Sequence, residues 1–285
     1  MSDTIFDVIH TLKYVRQFSG QAILVKLGGS ALKDLNLVKS LCEDLALVRA
    51  IGVSVILVHG GGPSISDELS LREIQSEFIE GQRVTTPEMI DVIEMVLCGK
   101  INRRIVRTLN ASGIKAVGLS GSDANMLLCR REDPRLQNVG VIERVDTEFL
   151  SHYLRKNERQ AIIPVIAPVG VDETGQALNV NADWAASRIA QALEIRKLIY
   201  LTDQNGILDA HGQVLSELDA AELEDLIRTG VVHGGMLAKA KTILHAMKNK
   251  IQDIHIINSK RPHSLIEELF TNRGIGTVCR PRAIG

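Results

Sequence analysis

VSVILVHGGGP, residues 53–63, is a short apolar run that empties into three glycines and a proline. About thirty residues earlier, LVKLGGS (24–30) repeats the arrangement, with Lys26 set just ahead of Gly28, Gly29 and Ser30. An apolar run of this length reads as a buried strand, and glycines at its exit let backbone amides approach an anion with no Cβ in the way. In open α/β sheets ligands bind beyond the carboxyl ends of strands. Two such exits predict two anionic groups brought together over one sheet. Neither stretch matches the Walker pattern or the GxGxxG fingerprint of dinucleotide folds.

Outward from these runs, apolar segments alternate with helical patterns. Strands are predicted at 22–27, 54–59, 115–119, 161–167, 197–202, 253–257 and 276–280, and helices at 33–51, 64–78, 86–112, 146–156, 182–194, 219–229, 234–249 and 262–271. Several strands are apolar on both faces, which suits a parallel sheet covered on each side. The expectation is an α/β chain, a three-layer αβα sandwich around a mainly parallel sheet. Residues 120–146 read as loop-rich, and 168–181 as a hairpin or turn that is the best candidate for a lobe boundary. Ile5, Val8, Ile9, Leu12 and Val15 recur at helical spacing and predict an extra N-terminal helix, packed on its own domain or on a second subunit.

Bulk properties exclude several classes. The 285 residues carry a net charge of −1 and only 3% aromatics, which argues against nucleic acid or acidic membrane as a partner. No apolar run reaches the length of a membrane span, and the N-terminus lacks an apolar signal core. Cys42, Cys98, Cys129 and Cys279 form no C-x-x-C pair and have no histidine cluster, so no metal site is expected; they read as reduced thiols of a cytoplasmic protein.

Further residues fit an anion-handling site. Asp183 in NVNADWAA (179–186) falls at a helix start, Lys239 follows Gly234 and Gly235 in HGGMLAKAK (233–241), and Asp203 follows a buried strand in LTDQNGILD (201–209). Arg83 in EGQRVTTPE offers a bidentate partner for a carboxylate.

Together these stretches resemble the amino acid kinase family, and within it the branch whose acceptor is N-acetyl-L-glutamate. The matching blocks are VKLGGSAL (25–32), VHGGGPSISDEL (58–69), GQRVT (81–85), LNVNADWAA (178–186), LTDQNGILD (201–209), GGMLAK (234–239) and GIGT (274–277), in the family's order over nearly the whole chain. The resemblance implies an oligomerisation helix at 1–20, an acetylglutamate-binding lobe at 21–178 and an ATP-binding lobe at 179–285. It implies ATP-dependent phosphorylation of a side-chain carboxylate in arginine biosynthesis, with Mg²⁺ carried by ATP. Lys26 and Lys239 would stabilise the transferring phosphoryl group and Asp183 would orient them. Gly61, Gly62, Arg83 and Asn179 would hold the acceptor. Gly28, Gly29 and Asp203 would join the two lysines in binding ATP. Arginine as inhibitor would lie near Tyr14, Lys197, His255, Glu268 and Gly274, in a hexamer built as a trimer of dimers. The alternatives are a kinase of another carboxylate and an arginine-sensing protein of the same fold without catalysis.

The chain departs from the family pattern in three places. It has NSK (258–260) where many relatives have DGR, SGSDA (120–124) where many have SGKDG, and Ala238 where a proline is common. A carboxylate acceptor is ionised at neutral pH, with a reference pKa of ~4.3, so the transfer needs no general base. His59 and His233 are therefore left out of the expected chemistry.

Overall fold

The computed structural model describes residues 15–16, 18–154, 162–271 and 274–281. In chain order the strands are β1 (Ala22–Leu27), β2 (Ser54–His59), β3 (Phe78–Ile79), β4 (Gln82–Arg83), β5 (Ala116–Ser120), β6 (Leu127–Arg131), β7 (Gly140–Val145), β8 (Ile163–Ala167), β9 (Val169–Val171), β10 (Ala177–Asn179), β11 (Lys197–Thr202), β12 (Glu217–Leu218), β13 (Asp253–Asn258) and β14 (Thr277–Cys279).

Eight strands form one sheet in the order β12-β14-β13-β11-β1-β2-β8-β5. Every pairing in it is parallel except β13 with β14. The two strands whose glycine exits opened the sequence reading, β1 and β2, are central neighbours, with Lys26 beside Val58 and Leu27 beside His59. On its other side β1 pairs β11, which sets Lys26 beside Tyr200.

Side chains of successive strand residues point to opposite faces. Ile23, Val25 and Leu27 join the core under the helices Leu35–Ala50, Arg103–Ala111 and Ser264–Phe270. Leu24 joins the opposite core, built with the helices Ala182–Ala192, Ala220–Arg228 and Gly234–Lys248. The same alternation turns Lys26 toward the face of Leu24, where Asp183 and Lys239 stand. The three-layer expectation therefore holds, and it aims the first lysine. Each fully buried Leu, Ile or Val in these layers contributes about 1.5–3 kcal/mol relative to exposure.

Three expectations change. The helix predicted at 64–78 runs only over Gly62–Leu71, because Glu73 turns left-handed at φ 60°. The chain then makes a two-residue hairpin, β3–β4, with Glu80 and Gly81 both at positive φ, the geometry that matches strand twist. The supposed loop at 120–146 holds β6 and β7, which join the hairpin β9–β10 in a four-stranded sheet ordered β10-β9-β6-β7. REDPRLQNVG, which suggested loop, is largely the connection between β6 and β7. The helix predicted at 86–112 is continuous but widens to a π-helix over Met95–Asn102.

Of the N-terminal stripe, only Val15 lies within the described residues. It packs against the core, and the Ser19 amide donates to the Val15 carbonyl at 2.9 Å before Gly20, at φ 77°, turns the chain into β1. Among the described residues no helix is long and apolar enough to cross a membrane. All four cysteines are free thiols, and burial pushes each up to about 12.

Candidate active site

Lys26, Asp183 and Lys239 meet as one ion cluster. Lys26 Nζ lies 2.7 Å from Asp183 Oδ1, and Lys239 Nζ donates to Asp183 Oδ2 at 2.7 Å. Three elements supply them: the end of β1, the first turn of helix Ala182–Ala192, and helix Gly234–Lys248. Asn181 caps the middle helix by accepting from the Asp183 and Trp184 amides. The helix dipole favours a carboxylate in that first turn. Burial alone would raise the pKa of Asp183. The two ammonium groups outweigh it and hold the carboxyl well below its usual range. Burial lowers the pKa of Lys239 against the opposing pull of Asp183. The Lys239 ammonium also sits 5.0 Å from the Tyr200 ring centroid, and the Tyr200 hydroxyl donates to the Asp183 carbonyl at 3.3 Å.

The cluster stands between two clefts. The first is lined by Lys26, Gly29, Gly61, Gly62, Arg83, Asn179 and Asp183, among others. Here the two glycine turns face each other: a Cβ on Gly29 would lie 3.1 Å from both the Gly61 and the Gly62 nitrogen. Gly61 and Gly62 open the helix Gly62–Leu71, whose first amides have no intrahelical acceptor. The result is a helix N-terminus suited to an anion. Arg83 is buried on the hairpin, 4.7 Å over the Phe78 ring. It donates to Ser66 Oγ at 2.8 Å, to the Gly62 carbonyl at 3.3 Å, and to Ser76 Oγ. Asn179 Nδ2 donates to Thr85 Oγ1 at 3.0 Å, and that hydroxyl donates to the Arg83 carbonyl at 3.1 Å.

The second cleft is lined by Thr202, Asp203, Gln204, Gly206, His233, Gly234, Gly235 and Lys239, among others. Gly234, at φ 56°, and Gly235 begin the helix that carries Lys239, so this cleft too has a helix N-terminus.

Gly28 departs from its expected role. Its amide donates to the Leu201 carbonyl at 2.8 Å, and a Cβ there would lie 2.9 Å from that oxygen. Gly28 lets β1 and β11 close up, and its amide is not free for phosphate. Gly60 is similar, with its amide on the Leu27 carbonyl at 2.8 Å.

Of the residues expected around arginine, Lys197, His255 and Glu268 form a separate buried group. Lys197 Nζ lies 3.2 Å from Asp253 Oδ2 and 2.9 Å from His255 Nε2, and His255 Nδ1 lies 2.6 Å from Glu268 Oε1. Glu268 Oε2 accepts from the Ile275 amide at 2.8 Å, with Gly274 beside it. Burial lowers the pKa of His255 and of Lys197. The Lys197 ammonium sits 5.1 Å from the Phe18 ring centroid. Tyr14 lies outside the described residues.

The sequence reading missed Ser66, Thr85, Asn181 and Tyr200. Only Asn181 had a legible signal, as an N-cap residue two places before Asp183.

The amino acid kinase family model matches residues 21–258. Among curated proteins, the acetylglutamate kinase of Campylobacter curvus is 42% identical over 274 residues, covering 96% of each chain. That of Methanoculleus marisnigri is 40% identical, covering 95% of this chain and 97% of its own. Among solved structures, the N-acetylglutamate synthase of Neisseria gonorrhoeae superposes with a TM-score of 0.87 at 24% identity, over 98% of this chain and 64% of that one. Carbamate kinase from Giardia lamblia gives 0.68 at 16%, over 93% and 99%. These last two likenesses establish a shared fold. From its match over most of its length and its close full-length relatives, the chain belongs to the amino acid kinase family.

Proposed function

We propose that the chain transfers the γ-phosphoryl group of ATP to the side-chain carboxylate of N-acetyl-L-glutamate, giving ADP and N-acetyl-L-glutamyl 5-phosphate. The observation that carries this reading is the Lys26–Asp183–Lys239 cluster between two clefts that each have a helix N-terminus. The acceptor lies in the cleft of Gly61, Gly62, Arg83 and Asn179. ATP lies in the cleft of Asp203 and Gly234, with its γ-phosphate directed at the lysines.

The barrier is the meeting of two anions. The acceptor oxygen is already ionised, so the protein's work is alignment and positive charge. Lys26 and Lys239 are held on one carboxylate, which keeps their mutual repulsion from splaying them. As the phosphoryl group passes, charge grows on its equatorial oxygens. The two ammonium groups and the amides of Gly29 and Gly62 are in place to meet it without reorganisation. Among the described residues no group of three or more His, Cys, Asp or Glu side chains is placed to hold a metal ion. Mg²⁺ carried on the ATP phosphates would neutralise part of their charge.

Regulation and assembly extend the proposal. The group of Lys197, His255, Glu268 and Gly274 takes arginine, and residues 1–20 link dimers into a hexamer. The protein works in the cytoplasm.

Hydroxylamine trapping tests the reaction. An acyl phosphate yields a hydroxamate and inorganic phosphate, so hydroxamate should accumulate only with both ATP and N-acetyl-L-glutamate. ADP formation that N-acetyl-L-glutamate does not increase overturns the reading.

A further inference from the structure

We propose that His59 is a positioning residue for phosphoryl transfer: held by Asn102, its ring locks the Gly60 carbonyl and thereby aims the Gly61 N–H into the acceptor cleft. The inference rests on the phosphotransfer reading for what that amide does, but not for the lock itself.

His59 is the last residue of β2 and is completely buried. Its Nδ1 lies 3.0 Å from the carbonyl oxygen of the next residue, Gly60. A carbonyl only accepts, so Nδ1 carries the proton and donates. Nε2 is then a lone pair, and Asn102 Nδ2 stands 3.3 Å from it. The Asn102 amide cannot be turned round, because the same Nδ2 donates to the Val165 carbonyl at 2.7 Å. One asparagine thus ties the exit of β2 to β8 and fixes the histidine tautomer. Burial agrees with a neutral ring, lowering its pKa to about 4.

A peptide unit is planar and trans, so its C=O and N–H point in opposite directions. Fixing the Gly60 oxygen against the His59 ring directs the Gly61 N–H the other way. The Gly61 nitrogen lies beside the Gly29 turn, and both glycines line the acceptor cleft. Among the described residues neither the Gly61 nor the Gly62 amide has a backbone acceptor. Without the lock, the flexible Gly60–Gly61 peptide is free to rotate and turn this donor away.

The π-helix supplies the rest of the device. Asn102 is its last residue, and Leu97 and Ile101 of the same segment pack on Gly61, where a Cβ would lie 2.5 and 2.7 Å from their methyl carbons. Gly118 makes room for Asn102, since a Cβ there would lie 1.9 Å from Asn102 Oδ1. Widened helical turns of this kind recur at functional sites. Here the widened turn presents Asn102 to β2, β5 and β8 while its apolar residues hold the glycine turn from behind.

Two readouts test this on the full-length protein. Long-range ¹H–¹⁵N correlation on ¹⁵N-histidine-labelled protein should show His59 neutral and protonated at Nδ1 from pH 6 to 8. An Nε2-protonated or cationic ring overturns the lock whatever the enzyme's acceptor is. For kinetics, His59→Leu removes both ring contacts and should lower kcat by roughly 30-fold or more, as expected when the acceptor carboxylate loses one aligning donor, with KM for ATP within about twofold. His59→Asn puts an amide donor near the position of Nδ1 and should restore kcat to within about fivefold of the parent. Equal loss in both variants, or a loss shared by KM for ATP, overturns the positioning role, and if the leucine variant fails to fold the asparagine variant and the tautomer still decide it. A parent that phosphorylates a different carboxylate refutes the proposed acceptor, and the variants are then compared on that acceptor. A parent that phosphorylates none refutes the catalytic reading and this positioning role with it.

Discussion

Lys239 Nζ donates to Asp183 Oδ2 at 2.7 Å while Lys26 holds the other oxygen of the same carboxylate at the same distance. One acid therefore spaces two cations contributed by β1 and by the helix Gly234–Lys248. It leaves the trio with a net positive charge, which in the proposed transfer would meet the phosphoryl group. In the proposed reaction the catalytic weight falls on charge and alignment, and on no proton-transfer residue.

Replacing either lysine by alanine should cost roughly 10²–10³-fold in kcat, because each ammonium stabilises charge that develops mainly in the transition state. Steady-state kinetics on Lys26→Ala and Lys239→Ala checks this. A variant that melts like the parent and keeps full kcat removes that lysine from the mechanism.

Asp183→Asn should lose activity to a similar degree and also change the response to acid. The folded pKa of Asp183 lies below its unfolded value near 3.8, so its stabilisation is complete above about pH 4 and is lost as the pH falls further. The stability gap between parent and variant should be widest at neutral pH, about 3–5 kcal/mol for a buried charge left unpaired, and should shrink towards pH 2. Urea unfolding across that range would show it; a gap that grows on acidification contradicts the assignment.

Much of this site was legible in the sequence because glycines and lysines at strand ends signal anions whatever surrounds them. β1, β2 and β11 were placed to the residue, since runs that are apolar on both faces leave little choice of register. The hairpin carrying Arg83 was not seen, because LREIQSEF continues a helical pattern past the point where Glu73 turns left-handed. The β6–β7 ribbon was hidden by its polar, proline-containing connection. Ser66, Thr85 and Tyr200 reach the site only through the folding of distant segments, which no local pattern records. Gly28 was read as a phosphate contact, although its amide closes β1 against β11.

Ala124 is a departure from the family pattern with a visible cost. It sits at φ 53°, a left-handed conformation that glycine adopts freely. Ala124→Gly should leave stability unchanged or raise it by up to about 1 kcal/mol, where the same change in an ordinary helix interior lowers it by a similar amount. Thermal unfolding checks this, and a clear loss contradicts it.

The buried group of Lys197, His255 and Glu268 lies apart from the lysine cluster in sequence and contacts, so inhibition and catalysis should separate. Glu268→Ala should raise the arginine concentration needed for inhibition by about tenfold or more, as removal of a charged partner costs ~1.5–3 kcal/mol, while kcat stays within twofold. Deleting residues 1–20 should reduce a hexamer to dimers and abolish the arginine effect. Light scattering and an arginine titration on both variants would decide it, and unchanged inhibition of a still hexameric truncation contradicts the regulatory reading.

The central claim is that the cleft of Arg83 and Asn179 selects an acylated glutamate and delivers its side-chain carboxylate to the lysines. Coupled measurement of ADP release with N-acetyl-L-glutamate, glutamate, aspartate and carbamate tests it most directly. The account predicts that kcat/KM for glutamate falls at least ~100-fold below that for N-acetyl-L-glutamate, a difference of ~2.7 kcal/mol in transition-state binding, because a charged ammonium replaces a neutral amide. Equal kcat/KM for the two, or a preference for carbamate, would contradict it.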